Sequence, residues 1–458
     1  MSNIQFILQK LKQKCSDKVF EEIITDIKQL NEDQRAALVT SINILYNTRD
    51  SVCISGPAGT GKTFLTKVLL KILESLYDSS KIALSAPTHQ AKKVLANSSG
   101  RDAFTVHSLF RILPNLEEDR TEFTQRGDDL PKLQDILFLV IDEVSMIDEK
   151  LFKIIYEKLP MNTRIIALGD PYQLAPVNSE SISLFFTHKD FTQIKLTKIM
   201  RQSSGSPIIE QGDNIRRRVQ NNLVTSNDGK NGIFGFNTEQ EFLDKYLSIV
   251  KSADDAIDNR IIAYTNNKVN ELNNIIRRVI YKTDDQIVKG ELLVLQQAVM
   301  NDNESVFDNG EILKVLNIKE KHQYFFFPES KDEIKVKYYN IEVLSLDTSC
   351  SHFINIISDE DIGDFNFKMH CEASQLKLRK KKQPYIRLGQ EWKEWWANKN
   401  FFVETKPIFA STVHKAQGVS LDNCFVYQND FDKARLVDNY YQLLYVAVTR
   451  AKNNIYFV

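Results

Sequence analysis

One short stretch constrains the fold of this chain more than any other. Gly56-Pro-Ala-Gly-Thr-Gly-Lys62-Thr63 satisfies G-x-x-x-x-G-K-[ST]; a short apolar run, Ser51 to Ser55, leads into it, and Phe64 to Leu76 follows with apolar residues at helical spacing. Strand, glycine loop and helix in that order describe a phosphate-binding loop on a parallel sheet. Gly56, Gly59 and Gly61, with Thr60 between them, let backbone N–H groups close around nucleotide phosphates, and the helix amino terminus adds positive potential. Lys62 reaches the β and γ phosphates and Thr63 ligates Mg²⁺, so ATP and Mg²⁺ are the expected cofactors. A plain glycine turn beside a surface lysine is the bland alternative, and the flanking strand and helix argue against it. Glycine is scarce here, 16 in 458 residues, so its clustering is informative.

More segments of the same kind follow. Lys81 to Ser85, Ile136 to Ile141 and Arg164 to Leu168 read as buried strands, each followed by a polar turn and a helical stretch, which predicts a parallel, doubly wound α/β sheet. Residues 4 to 46 read as amphipathic helices. A polar excursion at 111–134 interrupts the alternation and reads as a hairpin insert. A second alternating unit starts near Arg260 and resumes at Ile408 to Ser411 and Asn423 to Tyr427. Between its parts, residues 286–404 hold short strand-like pieces without helical alternation, the pattern of a small β-barrel-like insert. To that insert belong the basic run at 379–383 and an aromatic helix, Gln390 to Lys399.

Charge excludes a global mechanism of polyanion capture, because 59 Lys+Arg against 60 Asp+Glu leave a formal net charge of −1. Any grip on nucleic acid is local. The cysteines at 15, 53, 350, 371 and 424 are odd in number and form no CxxC pair, so neither a disulfide framework nor a structural zinc site is expected. No apolar run has membrane-spanning length, and Asp17, Glu21 and Glu22 interrupt any signal-peptide core, so the expectation is a soluble, cytoplasmic protein with no membrane partner.

Eighty residues beyond the glycine loop, FLVIDEVSM ends an apolar run in Asp142 and Glu143. Asp142 is placed to hold Mg²⁺, and Glu143 to orient and deprotonate an attacking water. Paired acids after a strand are commonly helix caps, and it is the upstream loop that turns them into a candidate hydrolytic pair. The ordered series NEDQRAAL, GPAGTGKT, APTHQAKK, TVHS, DEVSM, GDPYQLAPV, LTKIMRQ, AYTNNKVNELN, STVHKAQG and YVAVTRAK resembles superfamily-one DNA helicases, in particular the RecD and Pif branch that translocates 5′ to 3′. The resemblance runs from Asn31 to the last residue. It implies two RecA-like α/β domains: 1–200 with the 111–134 insert as a wedge or pin, and 201–458 with an SH3-like insert at 286–404.

The resemblance also implies roles. Gln34 is similar to an adenine-reading glutamine, Gln173 to a γ-phosphate sensor, Gly418 to a nucleotide-contacting glycine, and Arg201 and Arg450 to the two arginines that reach the transferring phosphoryl group from the second unit. A planar guanidinium fork suits such spread charge, although each arginine alone would read as a surface ion pair. Pro87, Thr88, His89, His107 with Ser108, Asn266, Thr412, His414 and Lys415 match positions that line a single-strand groove; capping and loop hydrogen bonds are the alternative for each. Phe123 is either a pin aromatic that stacks on a base or a small-cluster core residue. Trp392, Trp395 and Trp396 share one helix face, a packing surface that could brace the pin. The partners implied are single-stranded DNA and tailed or forked duplex, with a single-strand-binding or replication protein as a further one and a monomer as the working unit. A phage origin, implied by likeness alone, would make the location a host cytoplasm. The rival reading is a DNA-stimulated ATPase that remodels protein on DNA without separating strands, or a vestigial ATP site.

Overall fold

The structure is a computed structural model and describes residues 2–48, 50–112, 131–175, 182–199, 206–301, 304–383, 385–435 and 439–458. Three helices open the chain, α1 (Ser2–Lys14), α2 (Asp17–Gln29) and α3 (Glu32–Asn47), and all three pack on α4 (Lys62–Leu76). Their starts are written locally. Ser16 and Asn31 accept from the backbone N–H groups of Val19 and Gln34, and Gln34 returns the bond to Asn31 in a full capping box.

The first sheet alternates with helices in chain order: β1 (Ser51–Ser55), α4, β2 (Ile82–Ala86), α5 (His89–Ser99), β3 (Phe104–Thr105), α6 (Val106–Leu109), β4 (Phe138–Ile141), α7 (Glu149–Lys158), β5 (Arg164–Gly169) and β6 (Phe191–Lys195). The hydrogen-bonded order is β3-β2-β4-β5-β1-β6, and every pairing is parallel. Val52, Cys53 and Ile54 have no exposed surface, as befits a central strand covered on both faces. Parallel strands all end at one edge. The glycine loop after β1, Asp142 and Glu143 after β4, and Gly169 to Gln173 after β5 therefore emerge side by side, though they are far apart in sequence. Neither β3 nor β6 was expected, since two residues and an exposed, alternating edge strand carry weak apolar signals. Most of the 111–134 excursion, residues 113–130, lies outside the described residues.

The second α/β unit begins with α8 (Pro207–Arg216), β7 (Ser226–Asn227), β8 (Gly232–Gly235), α9 (Glu239–Ile249), β9 (Asn259–Ala263) and α10 (Asn266–Tyr281). The chain then leaves for the insert: β10 (Leu292–Leu295), β11 (Val299–Asn301), β12 (Glu304–Phe307), β13 (Ile312–Phe327), β14 (Asp332–Ser345), β15 (Ser351–Ile357), α11 (Ile362–Lys382), α12 (Gly389–Asn400) and β16 (Thr405–Pro407). It returns as β17 (Ala410–Thr412), β18 (Leu421–Val426), α13 (Gln428–Phe431), α14 (Tyr440–Thr449) and β19 (Ala451–Phe457), completing a sheet of order β17-β9-β18-β19-β8-β7, antiparallel only between β8 and β7.

The insert differs from expectation in two respects. Its antiparallel sheet, β15-β14-β13-β10-β16, is open and does not close into a barrel. It is also not free of helix beyond the aromatic segment, because α11 runs for 21 residues and its last turn carries the basic run Arg379 to Lys382. Only Phe365, Met369, Glu372 and Leu376 of α11 are buried, so the helix shows little apolar periodicity from sequence. The aromatic helix is α12. Trp392 is buried with Leu376 and Leu388, Trp395 donates its indole N–H to the Met369 carbonyl at 2.9 Å, and Trp396 stacks edge-on against Trp395. The tryptophans thus pack α12 onto α11, and any contact with the pin lies outside the described residues.

A buried ion pair moors the insert. Arg277 of α10 donates to both carboxylate oxygens of Glu291, at 2.7 and 3.0 Å, and the two side chains are 8% and 1% exposed. Removing one partner strands the other charge in a dry site. Arg277→Met should therefore cost about 3 kcal/mol, read as a lowered urea midpoint, whereas Arg278→Met on the exposed face of the same helix should leave the midpoint unchanged.

Candidate active site

The loop after β1 is shaped by backbone demands that only glycine meets. Gly59 and Gly61 have φ of +83° and +77°, in the left-handed region. A Cβ on Gly61 would stand 2.3 Å from Gln34 Nε2, and one on Gly56 would stand 2.7 Å from the Leu196 carbonyl oxygen. Gln34 is buried and already engaged: Oε1 accepts from the Asn31 N–H at 3.0 Å, and Nε2 donates to the Thr60 carbonyl at 2.9 Å. One lone pair and one N–H of that amide remain for a base edge. Lys62 Nζ donates to the carbonyls of Gly56 (2.7 Å) and Pro57 (3.2 Å).

Across from the loop, the acid pair is under electrostatic load. Asp142 is pushed up to about 7 by burial and then by Glu143, with Lys62 opposing the rise. Its Oδ1 accepts from the Glu143 N–H at 2.8 Å. Glu143 itself has φ +53°, a left-handed conformation that costs a non-glycine residue about 1 kcal/mol or more. Its Oε2 is buried with no hydrogen-bond partner among the described residues. A strained backbone that presents an unpaired carboxylate is the arrangement expected of a residue held ready for a water.

The second unit closes the site through α14. Arg450 is 5% exposed, donating to the carbonyls of Val446 and Val419 at 3.1 Å each and to Thr449 Oγ1 at 3.0 Å. Burial depresses its pKa, while Glu143 and, less strongly, Asp170 favour its charged form. Tyr445, which the sequence reading did not single out, makes the most direct link: its hydroxyl donates to Asp170 at 2.8 Å and accepts from the Ala58 N–H of the glycine loop at 3.2 Å. Burial, then the Asp170 carboxylate, raises its pKa well above the usual phenol range. Gln173 is buried, and its Oε1 accepts from Gln417 Nε2 at 3.1 Å, a second bridge between the units. Tyr445 lies within YVAVTRAK and Gln417 within STVHKAQG, but an uncharged side chain in a motif carries no signal of its own. Arg201 lies outside the described residues. A cleft between the units is lined by Pro57, Ala58 and Gly59 from one side and by Ile208, Arg216 and Tyr445 from the other.

Comparison with known proteins fits this geometry. The chain is 36% identical over 447 residues to the ATP-dependent DNA helicase dda of Enterobacteria phage T4, covering 94% of this chain and 99% of that one. This chain belongs to the Dda helicase family. Residues 284–407 match the Dda helicase SH3 domain, 29–229 an AAA domain, and 407–458 a UvrD-like helicase C-terminal domain. The ATP-dependent DNA helicase Pif1 of Campylobacter jejuni is 26% identical over 88% of this chain and 87% of its own length. The crystal structure of a Bacteroides Pif1 helicase in complex with ADP-AlF3 and ssDNA shares the fold, with TM-score 0.50, 18% identity and coverage of 93% and 92% of the two chains.

Family membership gives the expected strand-contacting residues a frame, and the structure distributes them unevenly. Thr88 caps α5, accepting from Ala91 N–H at 3.2 Å, with Pro87 before it. Asn266 opens α10 and accepts from Lys406 Nζ at 3.0 Å; the preceding turn is fixed by buried Asp430, which accepts from the Tyr264 and Thr265 N–H groups. Thr412 is buried and accepts from the Lys415 N–H at 3.3 Å, and His414 lies against Tyr264. His107 is exposed on α6. Two placements depart from expectation. Gly418, read as a nucleotide contact, faces α5: a Cβ there would meet Ala91 at 3.6 Å and Thr88 Oγ1 at 3.8 Å, and its φ of +81° demands glycine. His89 does not face an open groove. It is 5% exposed and held between two aspartates of the insert. Phe123 lies outside the described residues.

Two substitutions test the site. Gly61→Ala should weaken nucleotide binding by about tenfold or more, because the new methyl displaces Gln34 and strains the loop, measured by fluorescent-nucleotide titration. Glu143→Gln keeps shape and hydrogen-bonding size, so nucleotide affinity should hold while turnover falls by about 100-fold or more; an equal loss of affinity would assign Glu143 a structural role.

Proposed function

We propose that this chain is an ATP-dependent DNA helicase that moves 5′ to 3′ on single-stranded DNA and separates duplex strands ahead of it, with one copy on a tailed or forked duplex as the working unit. The observation that carries this reading is the meeting of Lys62, Asp142 and Glu143 from the first sheet with Arg450 from α14 of the second, joined through Tyr445. A cleft assembled from two units changes its chemistry when the units move, so nucleotide state and domain separation are coupled.

Each residue then has a task. The N–H groups of the glycine loop and Lys62 hold the phosphates; Glu143 orients the attacking water and takes its proton; Arg450, with Arg201, stabilises charge that grows on the γ-phosphoryl oxygens. The donors available to Mg²⁺ are the Thr63 hydroxyl and the Asp142 carboxylate, hard oxygen ligands of the number Mg²⁺ takes from protein when phosphates and waters complete its shell. Burial and the neighbouring Glu143 make an uncompensated Asp142 charge unfavourable, so a cation there is electrostatically fitting. When bound, Mg²⁺ supplies charge neutralisation on the phosphates. Single-stranded DNA laid over Thr88 and the loop from Thr412 to Lys415 would touch both units and favour the closed cleft, which makes hydrolysis DNA-stimulated and drives stepwise movement.

The rival, a DNA-stimulated ATPase that only clears protein, shares all of this chemistry and differs in strand separation. One assay distinguishes them. A duplex with a 5′ single-stranded tail should be unwound with ATP and Mg²⁺, a duplex with only a 3′ tail should not, and Lys62→Ala should abolish both unwinding and turnover. ATP hydrolysis without unwinding of either substrate would favour the rival, and preference for the 3′ tail would reverse the assigned direction. Arg450→Ala should lower turnover by about 100-fold or more with a smaller change in ATP affinity, because its contact strengthens as charge develops.

A further inference from the structure

Three consecutive residues at the start of α3 reach in three directions. Arg35 donates to the carbonyls of Ile27 and Lys28 at the end of α2, at 3.2 and 2.6 Å. Gln34 holds the glycine loop through the Thr60 carbonyl. Asp33 holds the stretch that follows β6: its Oδ2 accepts from the Thr197 N–H at 3.0 Å, the Thr197 hydroxyl at 2.6 Å and the Lys198 N–H at 3.1 Å. Hydrolysis makes no use of this carboxylate. Several donors converging on one charged oxygen make a firm anchor, and the bonds from Thr197 and then Lys198 hold the Asp33 carboxyl below the usual carboxylate range.

What the anchor fixes is a wall of the cleft. Leu196 donates its N–H to the Ser55 carbonyl at 2.8 Å, and its own carbonyl leaves no room for a side chain at Gly56. Thr197 and Lys198 carry the chain from there into Ile199, which lines the nucleotide cleft with Pro57, Ala58 and Gly59. On the α3 side, the Gln34 amide cannot turn over, because Oε1 accepts from the Asn31 N–H while Nε2 donates to the Thr60 carbonyl. Its remaining lone pair and N–H therefore keep fixed places. A fixed acceptor beside a fixed donor matches the N6 amino group and N7 of adenine, whereas guanine offers acceptors at both positions. A base is read by that edge only when it is held in one plane at one distance.

We propose that Asp33 is a positioning residue for nucleobase selection: it fixes Ile199 relative to the Gln34 amide, so that the cleft takes adenine nucleotides in preference to guanine ones. This rests on the reading of the cleft as an ATP site. The phosphates are held by other groups, the N–H donors of the glycine loop and Lys62, so the anchor acts on the base end of the nucleotide alone. Discrimination of this kind needs a rigid edge more than a strong one, since a donor and an acceptor that drift apart accept either purine.

The test is calorimetric titration of the full chain, with Mg²⁺, against non-hydrolysable analogues of ATP and GTP and against inorganic tripolyphosphate, which has no base. Asp33→Ala should weaken the ATP analogue by about tenfold, lower the ATP-over-GTP preference by a similar factor, and leave tripolyphosphate within about twofold of wild type. Asp33→Asn keeps an acceptor oxygen in place and should restore most of the preference. Glu32→Ala, exposed on the same turn, should change none of the three affinities. Thr197→Val removes one donor and should lower the preference less than Asp33→Ala, and the double variant should be no worse than Asp33→Ala, because both act through one oxygen. If Asp33→Ala does not fold, Thr197→Val and Asp33→Asn carry the same comparison. An equal loss of the ATP analogue and tripolyphosphate would make Asp33 a brace of the whole loop and overturn the proposal. So would an unchanged ATP-over-GTP ratio, or a wild type that binds both analogues alike. Failure of the ATP reading itself is seen separately, as a wild type that binds none of the three ligands.

Discussion

The rest of the site depends on one hydroxyl. Tyr445 touches the glycine loop through the Ala58 N–H and the β5 end through Asp170, so a residue of the second unit completes the hydrogen bonding of the first. In a buried site an unpaired donor or acceptor costs about 1 to 3 kcal/mol, and that cost makes the relative position of the two sheets a property of the nucleotide cleft. Five residues further along the chain, at the end of α14, Arg450 is held by three backbone and side-chain acceptors with Glu143 and Asp170 within electrostatic range. Movement of α14 moves both together. Hydrolysis can drive mechanical work only if its reactants are split between bodies that move, and this helix supplies the split.

The insert uses the same economy at larger scale. It leaves the second unit after α10 and returns before β17, moored by the buried pair Arg277 and Glu291 and stiffened by the long β13–β14 ribbon, on which α11 packs with α12 against it. Its turns after β12 and β14 meet α5 of the first unit at His89. An element rooted in one unit and touching the other ties their relative position to its own. The tryptophans belong to the internal packing of this element, Trp392 most deeply, and their indole planes pack edge-to-face with one another.

Much of this was legible without coordinates. The glycine loop, the acid pair and the alternating strands declare themselves because each is a local pattern: glycine where φ is positive, carboxylates where a buried strand ends, apolar runs where both faces of a parallel sheet are covered. The expected strand Ser51 to Ser55 is β1 to the residue, and the expected strand Lys81 to Ser85 is β2 displaced by one. Where local pattern was thin, expectation failed. α11 is largely polar because it packs along a narrow strip, β3 is two residues long, and the open edge of the insert sheet leaves no trace in the composition of its strands.

Sequence by itself thus determined the class of fold, the phosphate loop, the acids and the family, since covalent order is enough to place a lysine directly after a glycine and a carboxylate at a strand's end. Tertiary structure alone decided which distant groups share a site. That Tyr445 completes the glycine loop, that Gly418 lies against α5, and that His89 pairs with aspartates more than two hundred residues away rather than facing an open groove are outcomes of how two sheets and an insert pack. Burial and charge balance act between surfaces, and no spacing along the chain encodes which surfaces will meet.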